Sequence, residues 1–173
     1  MPTSRAQFLV EHLGLRPHPE RGFYAETYRA IEAVRPASRE VARAASTAIY
    51  FLITSEQPST FLHRLLSDEV FHFYEGGPLD ILRLAPDGSW DVPRLGLEIA
   101  AGERPQIVVP AGTCFGTELA PGATHCLVGC TVAPGFEFDD FELIDGPELI
   151  GRYPDAADRI RRMSRSRTPE PAV

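Results

Sequence analysis

The chain contains no lysine. That excludes Schiff-base chemistry on a lysine and a phosphate loop ending in one, and no G-x-G-x-x-G dinucleotide fingerprint is present either. Cations are outnumbered: 17 arginines against 24 acidic residues leave a net charge of −7, so the clustered basic surface that neutralises nucleic-acid phosphates is missing. The one basic concentration, "RIRRMSRSR" at 159–167, reads as a helix end and a solvated terminus. No apolar run approaches the roughly 20 residues that span a bilayer, and "MPTSRAQFLVEHLG" lacks a signal peptide's apolar middle. These absences predict a cytoplasmic protein that binds neither nucleic acid nor membrane. Cysteine is sparse too: Cys114, Cys126 and Cys130 are odd in number and form no C-x-x-C pair, so neither a disulfide framework nor a zinc knuckle is indicated. On one strand, Cys126 and Cys130 would share a face about 13 Å apart and could not bond to each other. They read as packed thiols.

What is present describes an ordinary globule, 43% hydrophobic and 24% charged over 173 residues, long enough for one continuous core. The expected organisation is a single domain at 1–165 with a disordered tail at 166–173. Ser4 is a candidate N-cap for a helix ending near Gly14, and a second helical region follows Pro147, interrupted at Pro154. "GFYAETYRA" (22–30) alternates as a strand, while "IEAVRPASREVARAA" reads as a loop broken by Pro36. Then come short segments rich in β-branched and aromatic residues: "STAIYFLIT", "TFLHRLL", "EVFHFYE", "LDILRLA", "WDVPRLGLE", "QIVVP", "CFGTELA", "HCLVGCTVA" and "FEFDDFELI". Gly, Pro, Asp and Ser punctuate them at near-regular spacing, which predicts an all-β sandwich or barrel.

Five of these blocks in order, "HPERGFYAETYRA", "STAIYFLIT", "FLHRLLSDEVFHFYEGGPLDI", "PQIVVPAGTCFG" and "LVGCTVAPGFEFDDFEL", resemble the cupin group of uncharacterised function called DUF985 or Cupin 5. The resemblance covers residues 16–145 and implies a double-stranded β-helix, the jelly-roll barrel, in a superfamily where dimers are common. The superfamily's first motif has two histidines one residue apart, then a glutamate, then a glycine seven residues on. Glu69 and Gly76 match the last spacing, His63 stands for one histidine, and Phe61 occupies the place of the other. The second motif appears as Pro110, Gly112 and Phe115, with phenylalanine in place of its histidine. The implied metal site is thereby cut to His63 and Glu69 unless His72 completes it. Two protein ligands rarely hold a divalent ion tightly, so no cofactor is expected to be required, with a divalent metal as the alternative.

Local geometry leaves two arrangements open. If "LSD" (66–68) is a three-residue turn, His63 pairs with Phe71 and shares the inner face with Glu69. Phe71 and Phe73 then form an apolar wall, and His72 lies outside under the N-terminal segment. With a two-residue turn, His63 pairs with His72, Tyr74 joins them and Glu69 faces away. The spacing from Glu69 to Gly76 resembles that of cupins whose glutamate points inward, and that resemblance implies the first. The catalytic candidates are therefore His63, Glu69 and His72. Arg64 either binds a substrate carboxylate or pairs with Asp68 or Glu69, and Asp68 reads as a turn residue. Tyr24 and Tyr28 cover one face of their strand. His18 belongs either to a pocket mouth or to a capped loop. Gln106 precedes an apolar run expected to line the barrel, where a buried amide needs a partner such as a ligand. The acidic "APGFEFDDFEL" alternates with Phe136, Phe138 and Phe141, as an edge strand with a solvated face would, rather than as a calcium loop. The candidate substrate-binding set is Arg64, Phe71, Phe73, Tyr74, Gln106, Phe115 and Tyr24.

A histidine of near-neutral pKa beside a carboxylate suits proton transfer at pH 7. The leading expectation is a small-molecule-binding cupin doing metal-independent isomerase, epimerase or cyclase chemistry. A metal-dependent oxygenase or lyase and a non-catalytic ligand sensor are the alternatives, because fold alone cannot choose. The need to cover jelly-roll edges predicts a homodimer.

Overall fold

The structure, a computed structural model, describes residues 4–37 and 39–165; the expected tail at 166–173 lies outside them. In chain order the elements are α1 (Arg5–His12), β1 (Arg16–Pro17), β2 (Phe23–Arg29), β3 (Ala33–Val34), β4 (Arg43–Ala44), β5 (Thr47–Thr54), β6 (His63–Leu65), β7 (Asp68–Gly76) and β8 (Leu79–Leu84). They continue as β9 (Trp90–Asp91), β10 (Arg94–Leu95), β11 (Gln106–Val109), β12 (Cys114–Leu119), β13 (His125–Ala133), β14 (Phe141–Leu143), α2 (Gly146–Ile150) and α3 (Ala157–Met163), with short 3-10 turns between. One antiparallel sheet runs β1-β2-β5-β13-β7-β11 and a second runs β10-β8-β12-β6-β14, with β9 on β8. The jelly-roll expectation holds at this level.

Burial explains why several strands read as continuous apolar runs rather than alternating ones. Phe51, Ile53, Phe71, Ile81, Phe115, Val128 and their neighbours pack between the sheets. Outside the first sheet, Leu9 of α1 packs with Leu15, Leu52 and Leu127. Outside the second, Leu62, Leu82, Leu84 and Cys114 are covered by Tyr153, Ala156, Ile160 and Met163. A strand covered on both faces has no wet side to reveal its pleat. The α1 helix forms here because Ser4 caps it, its hydroxyl accepting the Gln7 N–H at 3.2 Å, and because burying Leu9 stabilises it by about 2 kcal/mol. All three cysteines are free and buried.

Two expectations need correction. β6 and β7 do not form a hairpin in either register: β6 pairs with β12 and β14, whereas β7 pairs with β13 and β11. The turn at 66–67 carries the chain from one sheet to the other, as sandwich corners do, so His63 lies opposite Phe115 and Leu143. Nor is "FEFDDFELI" a continuous edge strand. Phe138–Asp140 is a 3-10 turn because Asp140 is drawn inward by Arg39 and Arg43.

Candidate functional site

Glu69 enters the interior from the start of β7, where it is buried between Val109 and Val132 on the flanking strands. His63 enters from β6 of the facing sheet. A third group comes from the loop between β1 and β2, "HPERGF", which closes on itself: the His18 N–H donates to the Gly22 carbonyl at 3.0 Å and the Arg21 N–H to the His18 carbonyl at 3.0 Å. Arg21 and Gly22 are both left-handed, at φ 78° and 74°. This is costly for arginine and is characteristic of backbone held for a purpose. A Cβ on Gly22 would stand 2.9 Å from the Leu52 carbonyl oxygen, so the loop lies hard against β5. Its consequence is to aim Glu20 and His18 inward.

The three segments meet at a cavity of about 300 Å³ whose lining includes His18, Glu20, Tyr24, His63, Glu69 and Phe141. His63 Nδ1 lies 2.8 Å from the Phe61 carbonyl oxygen. A carbonyl only accepts, so Nδ1 carries a proton. His63 Nε2 lies 3.0 Å from Glu20 Oε2, and one proton must sit between them. Burial lowers the His63 pKa, but the charge and hydrogen bond of Glu20, the Phe61 carbonyl and the Glu69 charge outweigh it and raise the net value. Burial raises Glu20, and the charge and hydrogen bond of His63, assisted by His18, bring it below the ordinary carboxylate value. The pair is an imidazolium against a carboxylate.

Glu69 is the opposite case. Burial first, and then repulsion from Glu20, push its pKa to about 7, against the smaller opposing effects of His63 and of the Cys130 thiol donating toward it. Cys130 itself is pushed far up by burial and by Glu69 and stays a thiol. His18 accepts the Glu20 N–H at Nδ1, 3.3 Å away, so its proton sits on Nε2, and burial keeps the ring neutral by lowering its pKa. Tyr24 meets the His18 ring edge-on with centroids 4.7 Å apart, and Phe138 stacks on it at 6.1 Å. The site thus holds a fixed ion pair, a carboxyl that titrates near neutrality, and a neutral imidazole with a proton to donate.

Of the residues singled out from the sequence, His63, Glu69 and Tyr24 line this cavity. His72 does not: it sits on the outer face, its Nδ1 accepting from the Gln106 amide at 3.1 Å and its Nε2 donating to Thr131 Oγ1 at 3.1 Å. The reason is strand alternation, which sends residues 69 and 71 inward and 70 and 72 outward;. Gln106, opposite His72 in the ladder, is likewise outside and not a barrel amide, and among the described residues the N-terminal segment makes no hydrogen bond to either. Tyr74 is half exposed, its ring 6.0 Å from Tyr50. Arg64 is outside too, paired with Glu142 at 2.5 Å rather than with Asp68 or Glu69. Phe71 and Phe73 belong to the core between the sheets. Phe115 is buried behind His63, with ring centroids 4.1 Å apart. Asp68 accepts the Ala111 N–H at 2.8 Å. Phe136 and Phe138 line the cavity, where a solvated edge strand was expected.

Sequence reasoning missed Glu20, the charged partner of His63. Its one signal was its place beside His18 in "HPERGF", since no periodicity exists in a loop. The donor set does not fit a divalent metal of the usual cupin kind. Both His63 nitrogens are engaged by Phe61 and Glu20, Phe115 stands beside the ring, and among the described residues no three His, Cys, Asp or Glu side chains are grouped to hold an ion.

A family model described as "Cupin superfamily (DUF985)" matches residues 7–144. The chain belongs to that cupin family. This DUF985 cupin is 29% identical over 161 residues to the uncharacterized protein YML079W of Saccharomyces cerevisiae, covering 86% of this chain and 80% of the yeast protein. Among solved structures it resembles protein SO0799 from Shewanella oneidensis, at 38% identity and TM-score 0.84 over 94% of this chain and 99% of that one. A hypothetical protein from Leishmania major is similar at 34% identity and TM-score 0.86, covering 93% and 99%. Oxalate decarboxylase from Bacillus subtilis shares the fold alone, at 10% identity and TM-score 0.52, over 83% of this cupin and 36% of the decarboxylase.

Proposed function

We propose that this cupin binds a small molecule in the cavity and performs metal-independent proton transfer on it, as an isomerase, epimerase or cyclase does. One feature carries the reading: Glu69 is buried in the cavity wall, where burial and Glu20 push its pKa up to about 7, beside the His63–Glu20 ion pair. In this reading Glu69, ionised, takes a proton from carbon next to a substrate carbonyl. The electron pair moves onto the carbonyl oxygen, and the His18 Nε2–H donates a hydrogen bond to the resulting enolate. Glu69 then returns the proton to the neighbouring carbon, or to the opposite face of the same carbon once the enolate has turned over in the cavity. A base with a pKa near the working pH is partly ionised and still strong enough to act. His63 is a positioning residue here: it holds Glu20 charged, and Glu20 raises Glu69. Aromatic walls from Tyr24, Phe138 and Phe141 exclude water from the enolate.

The reading extends to a cytoplasmic homodimer. No described helix is long and apolar enough to cross a membrane. Exposed Tyr28, Ile31, Val34 and Val41, on and around β2–β4, support a second copy covering that edge. A monomer by light scattering at micromolar concentration would refute the dimer.

The decisive experiment is proton NMR in D₂O with a panel of 2-oxo acids, hydroxyketones and reducing sugars. The wild type should wash deuterium into the carbon next to the carbonyl of at least one compound, and Glu69→Gln should not. A compound that raises the melting temperature but shows neither exchange nor turnover would replace the enzyme by a non-catalytic ligand sensor.

A further inference from the structure

The charges around the cavity are not equally available. Arg29 lines it but is chelated: its Nε and Nη2 donate to Glu26 at 3.0 and 2.8 Å, and its Nη1 to Glu137 at 2.6 Å. His63 spends both N–H groups on Phe61 and Glu20. The remaining lining cation is Arg16, and among the described residues no carboxylate lies within ion-pair distance of it. It is nevertheless held in place. β1 pairs Arg16 directly opposite Tyr24, and the guanidinium lies over that ring, 5.0 Å from its centroid, which leaves the N–H fork free at its edge.

Building on the proton-transfer reading, we infer that Arg16 is the specificity residue of this cavity and that it selects a small monocarboxylate with a planar or ring-bearing body. The carboxylate docks on the Arg16 fork at the rim. The apolar body lies along Tyr24, Phe138 and Phe141, and the reacting carbon faces Glu69 at the floor. A dianion fits poorly, because Glu20, Glu26, Glu69 and Glu137 line the same space and, among the described residues, Arg16 is the one uncompensated lining cation. A phosphate ester would meet more negative than positive charge, whereas a carboxylate matches the guanidinium in both charge and bidentate geometry.

The test uses matched probes on the intact protein, with binding read by NMR titration: phenylacetate, its neutral isostere phenylacetamide, and phenyl phosphate. The wild type should bind phenylacetate about tenfold more tightly than the amide, the strength of one charge-assisted contact at a wet rim, and phenyl phosphate more weakly than phenylacetate. Arg16→Gln should erase the preference for the acid, and Arg16→Lys, which keeps the charge without the fork, should retain part of it. Absence of any preference in the wild type, failure of the acid to bind at tens of millimolar, or an undiminished preference in Arg16→Gln would each overturn the assignment. Glu69→Gln separates the two readings. A carboxylate preference that survives this change, with no deuterium exchange in the wild type, sinks proton transfer and leaves Arg16 standing. Exchange without the preference does the reverse.

Discussion

Two buried carboxylates, Asp140 and Glu69, have opposite fates. Asp140 is gripped by two arginines: Arg43 donates from Nε and Nη2 at 2.8 and 2.9 Å, and Arg39 from Nη1 at 2.8 Å. The Arg43 hydrogen bonds, overcoming burial, and the charges of both arginines hold it below the usual carboxylate range. Arg39 also donates to Ser67 Oγ at 2.7 Å and to the Leu66 carbonyl, so the cluster ties the β3–β4 segment to the crossing between the sheets. Glu69, also buried, pairs with no arginine among the described residues and is raised to about 7. Asp140 is satisfied and structural; Glu69 is left with a proton to exchange. Burial alone does not mark a functional carboxylate, whereas burial without a counter-charge does.

The largest effect that would sharpen this contrast comes from His63→Ala. It leaves Glu20 buried without its imidazolium, so unfolding in urea should show a loss of about 3–5 kcal/mol at pH 6. Because that loss would obscure ligand effects, His63 is a poor test of catalysis. The pair's stabilisation has its own window: the His63 part is complete below its ordinary 6.5 and is lost as pH rises through its raised value. The Glu20 part is present above 4.5 and is lost as pH falls through its lowered value;. A wild-type-like unfolding curve for His63→Ala would show that no ion pair exists.

Glu69→Gln should move stability the other way. Between its ordinary 4.5 and about 7 the folded protein keeps a proton that the unfolded chain has released, so the wild type loses stability as pH rises through that interval. The loss totals about 3 kcal/mol. The variant should therefore equal the wild type at pH 4 and exceed it at pH 8. In the infrared, the Cys130 S–H stretch of the wild type should shift as Glu69 ionises near pH 7 and stay constant in the variant. Equal stability gains at both pH values would remove the basis for Glu69 as the base.

For Asp140→Asn the expected change is smaller, a drop of a few degrees in melting temperature that is constant from pH 5 to 8. Asp140 contributes above its ordinary 3.8 and loses that contribution only as pH falls through its lowered value, so the difference should shrink only in acid. A difference that varied between pH 5 and 8 would make Asp140 resemble Glu69 and break the comparison. Least of all should Arg64→Ala matter. Its partner Glu142 and the guanidinium are both largely exposed, so stability should change by about 0.5 kcal/mol or less, and ligand binding not at all.

Much of this fold was legible in the sequence because β-branched runs punctuated by Gly, Pro and Asp leave few alternatives. β2, β5, β8, β12 and β13 fall on segments read as strands; the acidic "FEFDD" stretch was misread, its phenylalanines being cavity lining rather than the dry face of an edge strand, and the segment read as a loop before β5 holds the short pair β3–β4. The site was less legible. His63 and Glu69 were expected to share a cavity through a hairpin, and they do share one, but from opposite sheets. A six-residue separation specifies chain distance and says nothing about which sheet each strand joins.

By itself, then, the sequence determined most of the strand content, the absence of lysine chemistry, and a phenylalanine, which cannot coordinate an ion, at position 115, since these depend on side-chain identity and short-range pattern. Only the tertiary structure decided that Glu20, more than forty residues upstream of His63, reaches it, that His72 faces out, and that Arg39 and Arg43 neutralise Asp140 while no arginine among the described residues neutralises Glu69. The physical reason is that a pKa depends on groups brought together in space. Such approaches are made by loops, here one held left-handed at Arg21 and Gly22, whose course no local periodicity records.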